Sequence, residues 1–304
     1  MRQRTSQFSP LVSARAPWQG APLAWQPPLN FPDALEAPPL RGSRGNQLEA
    51  AGASHIGYVR QTNQDRFYLN TQIRQRPCST QSLRGIFVLC DGIGGGQQGD
   101  VASTMATFSL AQTLLQYPAD LVPTELHLKS ALYTANRLLH QENLDSKALG
   151  ISQMGTTAVV ALVQDLQFSL VHVGDSRCYR VTRTRGLEQM TTDHRIAQGS
   201  HGADPAQAHV HPQAHRLTQA LGPRPNSMIS PDVLTLDVEE DSLFLLCTDG
   251  LSDQDFIEDC WESRLMPYLD PAQSLAWGVS ELLHHGLCRN GHDNLTALLL
   301  RLCP

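Results

Sequence analysis

A glycine-rich turn after one apolar segment constrains the fold more than any other part of this chain. Residues 86–90 (IFVLC) are apolar and rich in β-formers, which predicts a short buried strand. Asp91 follows the strand, then come a run of glycines and a helical pattern from Val101. The carboxylate is therefore held at the end of a rigid strand, beside a backbone with few Cβ atoms. Such a position suits a hard cation bound by the Asp91 side chain and by a carbonyl such as that of Gly92.

The same arrangement recurs at other apolar segments. One acid after a strand is most often an ordinary Asx turn. Here, however, acids also flank the strands predicted at 170–173, 244–247 and 295–302, and these acids are Asp175, Asp249 and Asp293. Because several carboxylates at the ends of buried strands can converge on one cation, we predict a metal site where these strand ends meet.

Charge and cysteine usage exclude several classes of protein. The 304-residue chain has a formal net charge of −6, which gives no reason to expect nucleic acid or an anionic membrane as a partner. The sequence lacks an apolar run of the roughly 18 residues that a membrane-spanning helix needs, and it lacks the apolar core of a signal peptide. The seven cysteines are scattered and are typical of buried thiols in a reducing compartment. We therefore expect a cytoplasmic protein without membrane attachment.

The start of the chain differs in composition from the rest. Residues 1–46 are rich in Pro, Gln, Ser and Arg and have no apolar periodicity, which predicts a disordered extension before a domain that spans 47–304. Trp18 and Trp25 are unusual in such a segment. They either dock on the domain or on a partner, or they belong to a variable tail without a fixed role.

Apolar patterning in the rest of the chain predicts separate blocks of helices and strands. Helices are expected at 101–116 with Asp100 as N-cap and Val101, Met105, Phe108, Gln112 and Leu115 inward, at 124–143 with Leu128, Leu132, Ala135, Leu138 and Leu139 inward, and at 272–287. Strands are expected at 50–58, 67–70, 86–90, 156–163, 167–173, 178–182, 187–191, 242–247 and 295–302. Consecutive strands joined by tight turns favour antiparallel pairing. The blocks predict an α+β sandwich rather than a doubly wound parallel sheet.

Short polar motifs run through residues 50–302. They are Arg60 with Asn63-Gln64-Asp65, then 91–95 (DGIGG), 155–157 (GTT), 174–177 (GDSR), 217–222 (LTQALG), 249–253 (DGLSD) and 293–296 (DNLT). Each motif is weak alone, but their joint order and spacing resemble the metal-dependent serine/threonine protein phosphatases of type 2C, and the bacterial-type members in particular. The resemblance implies a four-layer α-β-β-α sandwich of two antiparallel sheets flanked by helices.

The resemblance also implies a binuclear centre of Mn²⁺ or Mg²⁺ in a cleft at one end of the sandwich. In this arrangement Asp91 bridges both ions, and Gly92 offers its carbonyl to one of them. Asp249 and Asp293 hold the other ion. Bacterial-type members bind a third ion, and the positions that match its ligands are Asp175 and Asp253. Oxygen ligands of this kind suit hard divalent cations.

Two further residues have implied roles in the reaction. Asp65 orders coordinated water, and Arg60 clamps the substrate phosphate with a planar, bidentate fork. A hydroxide that bridges the ions would attack phosphorus in line, so that no Ser or Cys nucleophile is needed. The implied substrates are phosphoserine and phosphothreonine residues of proteins, and we expect a monomeric enzyme with a role in signalling.

The sequence departs from the family pattern at two positions in these motifs. Gln64 stands where many members carry Glu. Since an amide can still hydrogen-bond to coordinated water, we expect the hold on that water to be weakened only modestly. Ile93 stands where animal relatives have a His that is proposed as the general acid, so that coordinated water would protonate the leaving group instead.

Residues 193–216 hold many His, Ala and Gln and are expected to form an exposed flap. The spacing of His209, His211 and His215 is compatible with a transition-metal site. A solvated loop is the alternative, because family members often carry a His-Pro pair in this flap, here His211-Pro212.

Two other functions fit the sequence less well. Residues 94–99 (GGGQQG) match the glycine pattern of a dinucleotide-binding turn. However, Asp91 would repel a pyrophosphate, and no second strand ends in an acid about twenty residues further on. An inactive phosphatase fold that serves as a binding or regulatory module would be expected to lack one of the metal-site acids, and none is missing.

Overall fold

Two antiparallel β-sheets lie face to face in the computed structural model, which describes residues 33–43, 45–75, 81–93, 98–118, 122–148, 150–196 and 216–304. The strands are β1 (Ala34–Arg41), β2 (Gln47–His55), β3 (Asp65–Gln75), β4 (Gln81–Ile93), β5 (Gly155–Thr156), β6 (Ala158–Gln164), β7 (Gln167–Val173), β8 (Arg177–Thr182), β9 (Gly186–Gln189), β10 (Asp232–Asp237), β11 (Ser242–Cys247) and β12 (Leu295–Cys303). The helices are α1 (Gln98–Leu115), α2 (Glu125–Asp145), α3 (Asp249–Ser252), α4 (Phe256–Arg264) and α5 (Leu275–Asn290). Trp18, Trp25, the glycines at 94–96 and the flap residues His209, His211 and His215 lie outside the described residues.

Neighbouring strands pair antiparallel in both sheets. The first sheet has the order β1-β2-β12-β11-β8-β9, and the second has the order β10-β7-β6-β4-β3, with β5 paired to the end of β4. Two segments predicted as strands, 167–173 and 242–247, are β7 and β11 with the same bounds. The predicted α+β class with antiparallel sheets is confirmed.

Three apolar layers hold the sandwich together. Between the sheets, Phe168 of β7 stacks on Phe244 of β11, with ring centroids 3.9 Å apart and an interplanar angle of 5°. Helices α1 and α2 cover the outer face of the second sheet, and α4 and α5 cover the outer face of the first. The protein therefore has the four layers that the family resemblance implies.

Strand β1 lies within the segment predicted to be a disordered extension. It is an edge strand, and its pairing with β2 has an irregularity between Ala37 and Leu40. Pro38 and Pro39 fall at this irregularity, which fits because proline lacks an N–H and is confined to edge strands and bulges. A proline-rich composition was therefore a poor guide to disorder here. Residues 34–41 of the predicted extension therefore belong to the first sheet.

Helix α1 buries a face that overlaps the predicted one only in part, since Met105 is buried and Val101 and Leu115 pack against the same core. The residues that pack against the second sheet and α2 are Ala102, Met105, Ala106, Leu110 and Leu114. Of the predicted stripe, Phe108 is 38% exposed and Gln112 is also exposed. The pattern of large apolar residues misplaces the centre of the face because the small residues Ala102 and Ala106 are fully buried there. Asp100 lies in the first turn rather than at the N-cap, and it pairs with Arg66 of β3.

The other two predicted helices agree better with the structure. In α2, four of the predicted inward residues are buried, and they are Leu128, Leu132, Ala135 and Leu139. Leu138 is 45% exposed and was wrongly assigned to the core. The predicted helix at 272–287 corresponds to α5, which begins and ends three residues later.

The order of the strands brings several strand ends to one end of the sandwich. Asp65, the first residue of β3, pairs with Asp91 near the end of β4. In the first sheet, Cys247 at the end of β11 pairs with Ala297 near the start of β12 and with Arg177 at the start of β8. The end of β4, the residues that follow β11 and the residues that precede β3, β8 and β12 are therefore close in space.

Candidate metal and phosphate site

Acidic side chains from both halves of the sandwich line one open cleft of about 840 Å³. The predicted site residues that line it are Arg60 between β2 and β3, Asp91 and Gly92 in β4, Asp175 between β7 and β8, Asp249 at the start of α3 and Asp293 before β12. The other two predicted acids lie beside these residues, because Asp65 pairs with Asp91 in the β3–β4 ladder and Asp253 shares Arg195 with Asp175 and Asp249. The structure thus brings all the predicted site residues together.

Asp65 is the most deeply buried acid of the cluster, with 2% exposure. Its Oδ2 atom accepts hydrogen bonds from the hydroxyls of Thr248 at 2.9 Å and Thr296 at 2.6 Å. Burial raises the pKa of Asp65 to about 6 although these bonds lower it, and the charge of Asp293 adds to the rise. A buried carboxylate of this kind is costly to ionise unless a cation lies nearby.

Asp91 is held in place by its backbone. Its N–H donates to Thr157 Oγ1 at 3.0 Å, and its carbonyl accepts from Thr156 Oγ1 and from the Thr157 N–H, both at 2.8 Å. Burial raises the pKa of Asp91, and the charges of Asp65 and Asp249 raise it further. The Gly-Thr-Thr motif therefore fixes the strand end that carries the central acid.

Gly92 has no room for a side chain. A Cβ atom there would lie 2.0 Å from the carbonyl oxygen of Gly99 and 2.8 Å from that of Gln64. The Gly92 N–H donates to the Gln64 carbonyl at 3.1 Å, and the Gln64 N–H donates to Asn294 Oδ1 at 2.8 Å. Glycine is therefore required where three segments meet beside Asp91.

Arg195 lies among three of the predicted acids, although no sequence motif singles it out. Its Nε is 2.6 Å from Asp175 Oδ2, its Nη2 is 3.0 Å from Asp249 Oδ2, and its Nη1 is 3.5 Å from Asp253 Oδ1. Burial raises the pKa of Asp249 to about 8, with contributions from Asp175 and Asp253 that Arg195 opposes. Burial also raises the pKa of Asp175, again against the effect of Arg195.

Arg60 contacts one acid of the cluster and lines the cleft. Its Nη2 is 2.7 Å from Asp293 Oδ2, and its side chain is 49% exposed. The hydrogen bond to Asp293 raises the pKa of Arg60. The guanidinium is therefore a permanent positive charge beside the acids, and part of its surface is open to a phosphate oxygen.

The two positions that depart from the family pattern also line the cleft, and these are Gln64 and Ile93. Ile93 is 37% exposed. Its apolar side chain occupies part of the cleft wall beside Asp91, and it has no proton to donate.

Two histidines near the flap form a stacked pair. The rings of His172 and His194 stack at 4.9 Å with an interplanar angle of 14°, and they group with Asp232. His194 Nδ1 accepts from the Gly174 N–H at 3.1 Å while its Nε2 is 3.2 Å from Asp232 Oδ2, and His172 Nε2 donates to the Thr192 carbonyl at 3.0 Å. Imidazole binds a metal in the plane of its ring, and nearly parallel planes do not meet at one ion. The pair therefore braces the turn at Gly174.

The donor set of the cleft fits a hard divalent cation. The carboxylates are those of Asp65, Asp91, Asp175, Asp249, Asp253 and Asp293. Crowding and burial raise the pKa of several of them, and a bound cation would favour their ionised form. Oxygen donors of this kind are the ligands that Mg²⁺ and Mn²⁺ prefer.

Comparisons with known proteins agree with this geometry. The family model described as "Protein phosphatase 2C" matches residues 51–284. The chain is 31% identical over 261 residues to protein phosphatase PhpP of Streptococcus pneumoniae (strain D39 / NCTC 7466), which covers 83% of this chain and 97% of that protein. The crystal structure of the Mycobacterium tuberculosis serine/threonine phosphatase PstP/Ppp has a TM-score of 0.68 at 27% identity, over 83% of this chain and 97% of that one.

A further solved structure shares the fold. The catalytic domain of the serine/threonine protein phosphatase PstP, in complex with 2 manganese ions, has a TM-score of 0.65 at 24% identity, over 85% of this chain and 100% of that one. The family match covers most of the chain, and the identity to PhpP extends over nearly all of that relative. This chain therefore belongs to the protein phosphatase 2C family.

Proposed function

We propose that this protein is a metal-dependent phosphomonoester hydrolase that removes phosphate from phosphoserine and phosphothreonine residues of proteins. The observation that carries the proposal is the cluster of six carboxylates, four of which line one open cleft, with the half-exposed guanidinium of Arg60 beside it. The relatives support it, since PhpP is named a protein phosphatase and PstP a serine/threonine phosphatase.

The cluster suggests which residues hold the ions. Asp91, Gly92, Asp249 and Asp293 would bind two Mn²⁺ or Mg²⁺ ions, a choice of metal that the manganese in the PstP catalytic domain supports. When bound, such ions supply an acidified water and offset negative charge on the phosphoryl oxygens. Asp175 and Asp253 are at the positions that match the third-ion ligands of bacterial-type members, and both contact Arg195.

The chain's own side chains bind and orient the substrate. Arg60 presents N–H donors to the phosphate oxygens, and its hydrogen bond to Asp293 holds the guanidinium at the cleft. Asp65 is fixed by the hydroxyls of Thr248 and Thr296, so that it can accept a hydrogen bond from the attacking water in one orientation. Because Ile93 has no exchangeable proton, the departing serine or threonine oxygen takes its proton from water.

An inactive regulatory module is the second candidate, and the cluster does not favour it. Such a module would no longer need its metal-site acids, and their mutual repulsion would favour their loss. In this chain all six acids implied by the family resemblance are retained, and each interacts electrostatically with another acid of the cluster or with Arg195.

We also propose a cytoplasmic signalling role. The six described cysteines form no disulfide, and Cys90, Cys178 and Cys247 are buried, which suits a reducing compartment. Among the described helices, none is both long and apolar enough to cross a membrane. The expected monomer is to be checked by analytical ultracentrifugation.

The test of the proposed activity is phosphate release from a phosphothreonine peptide by protein stripped of metal. Activity should be absent in excess EDTA and should return with Mn²⁺, and p-nitrophenyl phosphate should behave in the same way. A phosphotyrosine peptide of the same sequence is the matched control and should be hydrolysed more slowly. Full activity in excess EDTA would contradict the metal requirement.

A further inference from the structure

The position that matches a third metal ion is filled by a side chain of the protein itself. Resting on the proposed function above, we propose that the guanidinium of Arg195 replaces a third divalent ion, so that this chain binds two ions rather than three. Arg195 would then be a positioning residue that fixes the acids around the two-ion centre.

The contacts of Arg195 are those of a cation among its ligands. Three different nitrogens approach three different carboxylates, with Asp175 at 2.6 Å from Nε, Asp249 at 3.0 Å from Nη2 and Asp253 at 3.5 Å from both Nη1 and Nη2. The arginine side chain is 11% exposed and that of Asp175 is 6% exposed. Buried charges of opposite sign at these distances attract strongly, because water screens them little.

The residue before Arg195 is fixed to the turn that carries Asp175, and Arg195 itself is paired with a second segment. The His194 N–H donates to the Gly174 carbonyl at 2.9 Å, and the Gly174 N–H donates back to His194 Nδ1 at 3.1 Å. Arg195 itself forms a β-bridge with Leu217, and the Thr218 N–H donates to the His194 carbonyl at 2.7 Å. Arg195 is therefore anchored at the base of the flap and does not reach the acids from a free loop end.

The charge balance of the cluster also favours two ions. At full ionisation, the six carboxylates and the two guanidiniums hydrogen-bonded to them, Arg60 and Arg195, carry a formal charge of −4 among the described side chains. Two divalent ions neutralise this charge in the free protein. A third ion would have to displace Arg195 or add an uncompensated positive charge next to it.

The test is the number of Mn²⁺ ions bound by full-length protein, measured by equilibrium dialysis. Wild type should bind two ions per chain, and Arg195→Ala should bind a third. Arg195→Lys keeps the charge and should remain at two, and so should the double variant Arg195→Ala/Asp253→Asn. The matched control is Arg185→Ala, which removes a 59% exposed guanidinium that pairs only loosely, at 3.9 Å, with Glu188 and Glu240.

A second measurement separates charge replacement from a merely structural role. In EDTA, Arg195→Ala should melt at a lower temperature than wild type because its acids are no longer compensated, and Mn²⁺ should remove most of that difference. If Arg195→Ala does not fold, Asp253→Asn in the wild-type background provides the test. It should still bind two ions, since no ion in this proposal uses Asp253.

Three results overturn the proposal. Wild type that binds three ions, an Arg195→Ala variant that remains at two, or an Asp253→Asn variant that loses an ion would each show that Arg195 does not replace a metal. In these cases the proposed phosphatase activity stands. Wild type that binds no Mn²⁺ at all would overturn the proposed function together with this inference.

Discussion

At the residue scale, Arg60 shares its guanidinium between Asp293 and the open cleft. Arg60→Ala should lower kcat/KM by at least about tenfold, because a hydrogen bond to a charged group is worth about 1.5–3 kcal/mol. The affinity for Mn²⁺ should fall less than about fivefold, since a half-exposed ion pair contributes at most about 1 kcal/mol. Arg60→Lys should restore only part of the loss, because an ammonium cannot form the bidentate fork.

Two titrations on Arg60→Ala distinguish substrate binding from metal support. Inhibition by free phosphate should weaken along with kcat/KM, while the Mn²⁺ titration stays close to that of wild type. Unchanged phosphate inhibition together with weakened Mn²⁺ binding would show that Arg60 supports the metal site through Asp293 instead.

Gly92 provides a second test at this scale. In Gly92→Ala the new Cβ would overlap the Gly99 carbonyl oxygen, 2.0 Å away, so that β4 must shift beside Asp91. We expect Mn²⁺ affinity and turnover to fall together. Dialysis and steady-state kinetics measure both. A variant with wild-type values for both would show that the backbone at Gly92 does not contribute to the site.

The acids and Arg60 could be predicted from the sequence because each belongs to a short motif with a family counterpart. Arg195 could not, because it is a single basic residue at the start of a segment without periodicity. Its role depends on the bridge to Leu217 and on hydrogen bonds to the turn at Gly174, which are contacts between segments distant in the chain.

At the element scale, one buried arginine joins β4 to the end of α1. Arg84 is fully buried and donates to the carbonyls of Leu114 at 2.9 Å, Tyr117 at 2.9 Å and Pro118 at 3.1 Å. Burial lowers its pKa to about 10, with Arg74 adding to the effect, so that it stays charged at neutral pH. A cation at a helix C-terminus satisfies carbonyls that lack partners and interacts favourably with the helix dipole.

Arg84→Met should therefore lower the free energy of unfolding by about 2–4 kcal/mol, because buried carbonyls lose their donor. Urea unfolding in the presence of Mn²⁺ measures the change. The matched control is Arg74→Met, which removes one bond of 3.3 Å to the same Tyr117 carbonyl and should cost less than about 1 kcal/mol. Equal losses in the two variants would be inconsistent with a capping role for Arg84.

The elements that the sequence predicts least well are those whose pattern is weak. Helix α1 packs through small residues such as Ala102 and Ala106, which a search for large apolar residues does not detect. Strand β10 is at the edge of its sheet and is only partly buried, and the nine-residue α4 is too short for a clear helical period. By contrast, β7 and β11 lie inside the sheets, and their apolar runs predict them with correct bounds.

At the scale of the whole molecule, the folded region includes β1. Removing residues 1–32 should leave Tm and the activity on p-nitrophenyl phosphate unchanged, because their sequence has no core-forming pattern. Removing residues 1–46 should lower Tm, because it deletes β1 and exposes the edge of β2. Calorimetry of both truncated proteins decides between the boundaries. Equal Tm values would show that β1 adds no stability.

The acidic cluster should also make metal-free stability depend on pH. The pKa of Asp65 is about 6 and that of Asp249 about 8 in the folded protein, both above the usual value of 3.8. The stability that these groups contribute is complete below about pH 4 and is lost as the pH rises through about 6 and about 8, because the unfolded chain releases its protons first.

Since Mn²⁺ takes the place of these protons, the rise in Tm on adding Mn²⁺ should grow between about pH 5 and about pH 8. Melting curves with and without the ion measure it. Asp65→Asn should make the plot of metal-free Tm against pH flatter between about pH 4 and about pH 6. An Mn²⁺ effect that is the same across the range would mean that the acids are already ionised in the metal-free protein.

The most direct test of the account is the rate of phosphate release from a phosphothreonine peptide by Asp91→Asn at saturating Mn²⁺. Burial, together with the charges of Asp65 and Asp249, raises the pKa of Asp91, which is the proposed bridge between the ions. The variant should stay folded, should melt no lower than wild type in EDTA, and should lose far more than tenfold in rate, which corresponds to more than about 1.4 kcal/mol in the barrier. Retention of over about a tenth of the wild-type rate would contradict a two-ion centre built on Asp91.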